Sequence, residues 1–342
     1  MKVKVAVNGY GTIGKRIANA VMLQDDMELI GVSKVTPDFT ALLAQKRGIK
    51  IYTNKQKEFR EAGIETQGNI EDMVKVADVI IDATPNGVGA TYKELYKSNG
   101  KKAIFQGGEK ASVAEVSFNS LANYKQALGK SFVRVVSCNT TALTRVISTL
   151  DKSFGVTKIR ASIIRRGSDI NEVKKGPLDS INFDPPKSPS HHAEDVKTIL
   201  PNLDIFSMAV AVPSPLMHVH VIYGELREKV KSDDIIEVLS STNRIVTLSA
   251  EEMGIEGTGN LFELARELGR HRSDMPEVIV IEDSIKTFGN EFSLIYTVHQ
   301  ESIVVPENID AIRAITGIER DAIKSIEKTD KSLGIMKGKL KA

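Results

Sequence analysis

The chain has 342 residues, of which 41% are hydrophobic and 26% charged, a composition typical of a globular protein with one large or two ordinary domains. Its 46 basic and 44 acidic residues give a net charge of +2, and this balance argues against a general nucleic-acid surface. The same balance makes a small-molecule partner more plausible. No apolar run is long enough to cross a bilayer, so we expect no membrane association.

The first residues, MKVKVAV, pass directly into a strand and a glycine-rich turn, which leaves no room for a signal peptide and predicts a cytoplasmic protein. Gly9, Gly11 and Gly14 then follow in G-x-G-x-x-G spacing and open an amphipathic helix. In this pattern the first glycine permits a tight turn, the second lets the backbone approach a pyrophosphate, and the third allows close helix packing. We therefore predict a dinucleotide site, the alternative being a glycine turn without a ligand.

The end of the second strand bears on which dinucleotide binds. An NAD enzyme typically carries Asp or Glu there for the ribose diol, but this strand ends in Ser33 and Lys34. A hydroxyl followed by an ammonium suits a 2′-phosphate, which favours NADP without excluding NAD. An ordinary solvated lysine is an equally simple interpretation of Lys34.

Short apolar runs alternate with helical patterns as far as Val136, which indicates β-α-β units and a parallel sheet. A Pro-rich passage from Lys174 to His192 predicts a loop, and longer alternating strands follow it. The predicted class is α/β, with a Rossmann-type dinucleotide-binding domain at 1–138 and an α+β catalytic domain with a mainly antiparallel sheet at 139–300. Residues 301–342 are predicted to be helical and to pack back on the first domain.

Cys138 is the only cysteine of the chain and cannot form an internal disulfide, so we expect a reduced thiol. A lone cysteine is most often a small buried hydrophobe. However, Cys138 ends a strand just before Asn139, Thr140 and Thr141, which are residues typical of a helix N-terminus. The helix dipole there favours the thiolate, which beside a dinucleotide suggests attack on an aldehyde carbon.

Such a reaction calls for a base near the sulfur, and histidine is the usual choice at neutral pH. His218 and His220 are two residues apart in a predicted strand and therefore point to the same face. Either could be the base, and either could instead be a hydrogen-bonded sheet residue. A metal site is a weaker interpretation because no third ligand of suitable spacing is present.

Several motifs, distributed in order over nearly the whole chain, resemble those of the archaeal type of phosphorylating glyceraldehyde-3-phosphate dehydrogenase. The motifs are NGYGTIGKR, DATPNGVG, AIFQGGEK, VVSCNTTAL, IIRRGSD, PSHHAEDV, LMHVHV, HQES and PENIDAIRA. The resemblance implies oxidation of glyceraldehyde 3-phosphate with NADP or NAD and inorganic phosphate to 1,3-bisphosphoglycerate, a reversible reaction of glycolysis and gluconeogenesis. It also implies a homotetramer.

The resemblance further implies Cys138 as nucleophile and His218 as base, with His220 left open as the alternative. Residues implied to line the substrate site with Cys138 are Ser137, Asn139, His191 and His192. Residues implied to contact the cofactor are Thr12, Ile13, Gly108, Arg166 and Gln300, while Lys34 matches the position that meets the 2′-phosphate.

Two anionic reactants, the substrate and inorganic phosphate, need donors in such a site. Arg165 and Arg166 are adjacent on a strand and face opposite ways, and the resemblance places Arg166 inward. Thr140 and Thr141 could bind an anion at the helix start, although simple N-capping is compatible with the same positions.

Two other functions remain open at this point. A thiol-dependent semialdehyde dehydrogenase or acyl-phosphate reductase would share the two-domain plan, but its pocket would recognise a carboxylate. A non-catalytic NADP-sensing or RNA-binding protein could also use the nucleotide fold.

Overall fold

The structure is a computed structural model that describes residues 2–168, 176–177, 179–186 and 188–341. The described residues form two compact units. The first contains the chain up to Ser137 together with Val305–Leu333, and the second contains Cys138–Val304 together with the residues from Gly334 onwards. Lys174 and Lys175, at the start of the predicted Pro-rich loop, lie outside the described residues.

The first unit alternates strands and helices, which are numbered here along the whole chain. Its strands are β1 (Val3–Asn8), β2 (Met27–Ser33), β3 (Ile51–Tyr52), β4 (Val79–Asp82), β5 (Lys102–Phe105), β6 (Val116–Phe118) and β7 (Phe132–Val135). Its helices are α1 (Thr12–Met22), α2 (Phe39–Lys46), α3 (Gln56–Glu61), α4 (Ile70–Val76), α5 (Gly89–Ser98), α6 (Ser120–Asn123), α12 (Val305–Thr316) and α13 (Ala322–Leu333).

Within the part of the chain that the structure describes, the seven strands of the first unit form one parallel sheet in the order β3-β2-β1-β4-β5-β7-β6. The central strands β1 and β4 are buried along their length except at Lys4, as expected for strands covered on both faces. The strand order reverses between β1 and β4, and ligands bind such sheets outside the carboxyl ends of the strands at this reversal. The predicted Rossmann-type domain is confirmed.

The second unit opens with a long buried helix and continues with strands of up to eleven residues. Its helices are α7 (Cys138–Phe154), α8 (His191–Lys197), α9 (Ser232–Ser241), α10 (Ala250–Met253) and α11 (Thr258–Glu267). Its strands are β8 (Val156–Arg166), β9 (Asn182–Phe183), β10 (Ile205–Val212), β11 (His218–Leu226), β12 (Ile245–Leu248), β13 (Val278–Phe288), β14 (Glu291–Val298) and β15 (Gly338–Leu340).

Eight described strands of this unit form one mixed sheet in the order β15-β12-β13-β14-β11-β8-β10-β9. Antiparallel pairs join β13 to β14, β14 to β11, β11 to β8, and β10 to β9. The β8–β10 pair is parallel because the chain crosses over through α8, and the β12–β13 pair is parallel because it crosses over through α10 and α11. The predicted α+β domain is present. Four of the seven described strand pairs in its sheet are antiparallel, as predicted, and the other three are parallel.

The observed boundaries differ in detail from the predicted 1–138, 139–300 and 301–342. Cys138 is the first residue of α7 and groups with the second unit. The whole of 301–342 was expected with the first domain, but the residues from Gly334 onwards return to the second unit because β15 pairs with β12. A two-residue strand, β9, also lies inside the predicted loop.

Candidate active site

The glycine turn between β1 and α1 has the local geometry that its spacing predicts. Gly9 has φ +103°, and a Cβ there would lie 2.7 Å from the carbonyl oxygen of Ala83. A Cβ on Gly14 would lie 1.8 Å from the carbonyl oxygen of Gly9, so only glycine fits at either position. A Cβ on Gly11, in contrast, would have nothing within 4 Å. This open space beside the N-terminus of a helix fits a pyrophosphate.

A chain of buried hydrogen bonds holds this glycine turn in place. The Gly9 N–H donates to Ser33 Oγ at 2.8 Å, and the Ser33 hydroxyl donates to Asn8 Oδ1 at 2.5 Å. The Asn8 amide in turn donates to Tyr96 Oη, whose hydroxyl donates to Asp82 at 2.6 Å. Burial and the Asp82 carboxylate raise the pKa of Tyr96. The hydroxyl of Ser33 therefore holds the turn, and the expectation that it offers a donor to a 2′-phosphate is wrong.

Lys34 follows β2 and is paired with a carboxylate that the sequence analysis did not consider. Its ammonium lies 2.9 Å from Asp38 Oδ2, and its side chain is 13% exposed. Asp38 also caps α2, because its Oδ1 accepts from the N–H groups of Thr40 and Ala41. Burial alone would raise the pKa of Asp38, but the hydrogen bond from Thr40 and the charge of Lys34 outweigh it and lower that pKa.

The other cofactor candidates fall into two groups. Thr12 and Ile13 form the half-buried first turn of α1, and the exposed Gly108 follows β5 in the same unit. Arg166 and Gln300 belong to the second unit and contact each other. With the Gln300 amide oxygen facing Arg166, that oxygen accepts from the guanidinium Nε at 2.8 Å.

Cys138 begins α7, so its sulfur lies at a helix N-terminus, as the capping residues predict. The side chain is half-buried, and Sγ lies 3.6 Å from His218 Nε2. Burial raises the pKa of the Cys138 thiol, while the charges of Arg165 and Arg166 act to lower it. The sequence predicts a thiol whose pKa is lowered by the helix, but in the structure burial outweighs the groups that favour the thiolate.

The two histidines of β11 have different partners, although both point to one face as predicted. His218 contacts the sulfur through Nε2, and its Nδ1 accepts from the backbone N–H of Arg166 at 3.0 Å. His220 lies 2.9 Å from Asn139 Oδ1 through Nε2 and 2.9 Å from Tyr296 Oη through Nδ1. Burial lowers the pKa of His220 to about 3. Of the two, His218 is therefore the one placed to act on the sulfur.

The side chains after Cys138 are engaged inside the protein. Asn139 is buried, and its amide nitrogen lies 3.1 Å from His192 Nε2. Burial, followed by the nearby His191 and Arg165, lowers the pKa of His192 to about 2, so this imidazole is neutral. The ring of His191 is exposed and lies 4.0 Å from the ring of His192.

The two threonines that follow are fully buried in α7. The hydroxyl of Thr140 donates to Asp195 on α8 at 2.7 Å. Ser137, directly before the cysteine, is half-buried. The structure thus brings Asn139, His191 and His192 together, and the bonds of Asn139, Thr140 and His192 to protein groups hold the start of α7.

The adjacent arginines of β8 differ in burial, as their opposite orientations predict. Arg166 is 9% exposed, and its guanidinium donates to the backbone oxygen of Ser168 and lies 3.5 Å from Glu301. Arg165 is 32% exposed and is paired with Asp184. Both positive charges nevertheless act on the Cys138 sulfur. They offset part of the effect of burial, which disfavours the thiolate at this position.

Several residues of this site carry no signal in the sequence. Tyr296 reaches His220 only because the register of β11 and β14 places the two residues opposite each other. Asp195 and Asp184 are half-buried residues in stretches rich in polar residues, where the sequence gives no reason to single out a carboxylate. Glu301 stands next to Gln300 in the HQES motif, and its charge beside a predicted inward arginine could have indicated the pair.

The described residues contain no group of three or more His, Cys, Asp or Glu side chains that could hold a metal ion. Among those same residues, no helix combines the length and the apolar character needed to span a membrane.

The chain was compared with known proteins. The family profile described as glyceraldehyde 3-phosphate dehydrogenase, C-terminal domain, matches residues 137–258, and that described as dihydrodipicolinate reductase, N-terminus, matches residues 3–117. Relatives named glyceraldehyde-3-phosphate dehydrogenase include those of Sulfurisphaera tokodaii (55% identical over 341 residues), Metallosphaera sedula (55% over 340) and Sulfolobus acidocaldarius (53% over 343). Each alignment covers 99% of this chain and 99% of the relative.

Proposed function

The chain belongs to the glyceraldehyde-3-phosphate dehydrogenase family, and from that premise we propose that it oxidises glyceraldehyde 3-phosphate with NADP or NAD and inorganic phosphate to 1,3-bisphosphoglycerate. One observation supports the chemistry above all others. The single cysteine stands at the N-terminus of a buried helix, with an imidazole nitrogen 3.6 Å from its sulfur. This is the arrangement of an activated nucleophile.

The proposed reaction begins at the sulfur. The Cys138 thiolate attacks the aldehyde carbon, a C–S bond forms, and the carbonyl electron pair moves to the oxygen. The bound nicotinamide supplies the hydride acceptor. Loss of the hydride leaves a thioester, and an oxygen of inorganic phosphate then attacks its carbon. The C–S bond breaks, the acyl phosphate departs, and the thiolate is regenerated.

Each anion that forms or takes part in this reaction has a proposed group to bind it. The charges of Arg165 and Arg166 stabilise the thiolate and attract both phosphate groups. Ser137, Thr141 and the exposed His191 are proposed to contact the substrate. Asn139, Thr140 and His192 are proposed to line the same site, with their bonds inside the protein keeping the helix start in place.

The cofactor is proposed to lie on the first unit, at the carboxyl ends of its parallel strands. The glycine turn of Gly9, Gly11 and Gly14 would receive the pyrophosphate, with Thr12 and Ile13 supplying N–H groups at the start of α1. Gly108 is proposed to approach the cofactor from the end of β5. Arg166 and Gln300 are proposed as further residues that contact the cofactor.

NADP is the proposed preferred cofactor, with NAD also used. Lys34 supplies a positive charge for the 2′-phosphate, but Asp38 already holds that ammonium at 2.9 Å. The carboxylate that is missing at the end of the second strand is therefore present at Asp38, four residues after Lys34. It would compete with a 2′-phosphate for Lys34, and it could itself accept from the ribose diol of NAD.

The protein is further proposed to be a homotetramer and to be located in the cytoplasm. Phe206 and Met208 on β10 and Tyr223 on β11 are 37%, 58% and 58% exposed and lie on one face of the sheet. Large apolar side chains grouped in this way are typical of a surface that is covered by another subunit. A reduced catalytic thiol suits the cytoplasm.

The test is reduction of NADP or NAD by glyceraldehyde 3-phosphate, measured with and without phosphate or arsenate. Oxidation should depend on the added anion, and Cys138→Ser should abolish it while leaving cofactor binding intact. A rate that is independent of phosphate, with a free acid as product, would contradict the phosphorylating reaction. Faster oxidation of a carboxylate-bearing semialdehyde would contradict the substrate.

A further inference from the structure

The carboxyl ends of β1, β2 and β4 are joined by a chain of buried polar side chains that ends on a carboxylate. Asn8 ends β1, Ser33 ends β2 and Asp82 ends β4, while Tyr96 reaches the chain from α5. Each of these four residues is at most 3% exposed. Because water is kept away from them, breaking one hydrogen bond of the chain leaves a buried polar group unsatisfied.

The two ends of this chain determine the direction of every hydrogen bond within it. The Asp82 carboxylate can only accept, so the Tyr96 hydroxyl donates to Oδ2 at 2.6 Å and accepts from the Asn8 amide at 2.7 Å. At the other end the Gly9 N–H can only donate, so Ser33 Oγ accepts it at 2.8 Å and donates its own proton to Asn8 Oδ1. Both ends require the same orientation of the Asn8 amide. The chain therefore has one arrangement, and the charge at its end polarises the bonds.

The second oxygen of Asp82 holds the loop that follows β4. Its Oδ1 accepts from the backbone N–H of Thr84 at 3.1 Å and from the Thr84 hydroxyl. The peptide between Ala83 and Thr84 lies against the glycine turn, because a Cβ on Gly9 would be 2.7 Å from the Ala83 oxygen and 2.9 Å from the Thr84 nitrogen. One carboxylate therefore holds this loop through Oδ1 and the glycine turn through Oδ2.

The start of α5 connects the same carboxylate to the loop after β5. The N–H of Gly89 donates to Glu109 Oε1 at 2.9 Å. A Cβ on Gly89 would lie 2.9 Å from Asp82 Oδ1 and 3.1 Å from Glu109 Oε1, so the helix begins in close contact with both carboxylates. Gly108, which is proposed to approach the cofactor, directly precedes Glu109. The segments that follow β1, β4 and β5 are thus held by one buried cluster.

From this geometry we propose that Asp82 and Tyr96 are positioning residues of the cofactor site, which hold the glycine turn and the loop after β4 in the conformation that receives the pyrophosphate. Both residues are buried and act through Ser33 and Gly9, without contacting the dinucleotide. The strand order reverses between β1 and β4, which is where a ligand binds to such a sheet. A turn that is already ordered loses less entropy on binding. The inference rests on the proposed placement of the cofactor and not on the proposed substrate.

The first experiment removes one hydroxyl from the chain. Tyr96→Phe keeps the ring, which lies 6.2 Å from the ring of Phe105, but leaves Asn8 without an acceptor and Asp82 without its closest donor. The dissociation constants for NADP and NAD, measured by calorimetry without substrate, should each rise about tenfold. Their ratio should stay the same, because the pyrophosphate is common to both cofactors. During turnover the loss should fall mainly on the KM for the cofactor.

Tyr124→Phe is the matched control, because it removes an equally buried tyrosine hydroxyl from the same unit. Tyr124 is 2% exposed and donates to the backbone oxygen of Glu319 at 2.8 Å. Both variants should lower the free energy of unfolding in urea, but only Tyr96→Phe should weaken cofactor binding. Unchanged dissociation constants in Tyr96→Phe would overturn the inference. An equal rise in Tyr124→Phe would also overturn it, because cofactor binding would then follow general stability.

A double-mutant cycle tests whether the chain acts as one unit. Ser33→Ala breaks it at the other end by removing the acceptor of the Gly9 N–H. Ser33→Ala and Tyr96→Phe together should raise the dissociation constants little more than either alone, and factors that multiply would contradict a shared chain. Tyr96→Phe and Lys34→Ala should multiply for NADP, because the Lys34 ammonium pairs with Asp38 instead. If Tyr96→Phe does not fold, unchanged dissociation constants in Ser33→Ala alone would overturn the inference.

The same measurements separate this inference from the proposed function. Cofactor binding is measured without glyceraldehyde 3-phosphate, so it does not depend on whether the enzyme oxidises that substrate. A wild type that binds NADP and NAD but does not oxidise glyceraldehyde 3-phosphate would count against the proposed function alone. A wild type that binds neither dinucleotide would overturn the inference together with the proposed cofactor site.

Discussion

Asn139 shows which features of a single residue can be predicted from the sequence and which cannot. Its place beside the cysteine indicated a role in the site, but not that its amide lies between His192 and His220. Strand periodicity predicts which face a histidine occupies, and His218 and His220 do share a face. It does not predict partners, because those depend on the register of β11 against β14 and on the distant helix α8. Residue type and spacing thus predicted a histidine of this strand near Cys138, and long-range packing determined that His218 is the one beside the sulfur.

Lys34 carries the first residue-scale prediction. Lys34→Ala should lower kcat/KM for NADP roughly 10- to 150-fold, because a charge-assisted contact to the 2′-phosphate is worth about 1.5–3 kcal/mol. The efficiency with NAD should remain nearly unchanged. The measurement is kcat/KM for both cofactors at one moderate salt concentration, since the contact is screened. An equal loss with both cofactors would show that Lys34 serves only its ion pair with Asp38.

Asp38 permits the opposite change and so completes this test. Asp38→Asn keeps an oxygen that caps α2 but removes the charge 2.9 Å from the Lys34 ammonium. NADP efficiency should rise severalfold and NAD efficiency should fall. The matched control is Glu61→Gln, which removes the partner of the exposed Lys57 in another i,i+4 pair and should change neither cofactor. A fall in NADP efficiency in Asp38→Asn would contradict competition for the lysine.

At the scale of elements, the best predicted feature is the β1-turn-α1 unit. Gly9 is needed for its φ of +103° and Gly14 for close packing, and Gly11 leaves open space beside the helix N-terminus. Local requirements can be recognised in a short stretch of sequence. The return of Gly338–Leu340 to pair with β12 was not predicted, because a three-residue strand has almost no pattern of its own and its partner lies about ninety residues away.

The C-terminal helices of the first unit are held by a salt-bridge network that makes an element-scale prediction. Arg313 on α12 is fully buried, and its guanidinium donates to both carboxylate oxygens of Asp26, at 2.9 and 3.1 Å. Lys328 on α13 also donates to Asp26. Burial would raise the pKa of Asp26, but the hydrogen bonds from Arg313 and Lys328 outweigh it and lower that pKa. Folding therefore favours the ionised carboxylate.

Asp26→Asn should lower the free energy of unfolding at neutral pH by about 2 kcal/mol, because a charge-assisted bond to a buried guanidinium is lost. Since the folded pKa lies below the unfolded value of about 3.9, this contribution is present above that pH and is lost as the pH falls through the folded pKa. Urea unfolding of wild type and variant should therefore converge in acid. Asp25→Asn is the control, because Asp25 is 80% exposed and should matter little. A constant difference at every pH would contradict the argument.

The whole molecule is expected to assemble through the exposed face of the second unit's sheet. Strand β8 lies between β10 and β11, and its Arg160 is paired with Phe206 on one side and with Tyr223 on the other, so the three residues form one row. Met208 and Val221 form the next row across Ser162. The residues between these positions on each strand point to the buried side. The result is a face on which apolar side chains of β10 and β11 flank the polar Arg160 and Ser162 of β8, and such a mixed face suits a two-fold contact between identical subunits.

Met208→Glu should separate the subunits at this patch, because a carboxylate buried without a partner is strongly unfavourable. A tetramer also needs a second kind of contact, which this substitution leaves intact, so the mass measured by light scattering should fall from four chains to two. Phe288→Glu is the control, since Phe288 is 84% exposed near the β13–β14 turn and should leave the mass unchanged. Retention of the wild-type mass by Met208→Glu would place the interface elsewhere. A monomeric wild type would exclude the tetramer, and with it the reason given for three large apolar side chains exposed on one face of the sheet.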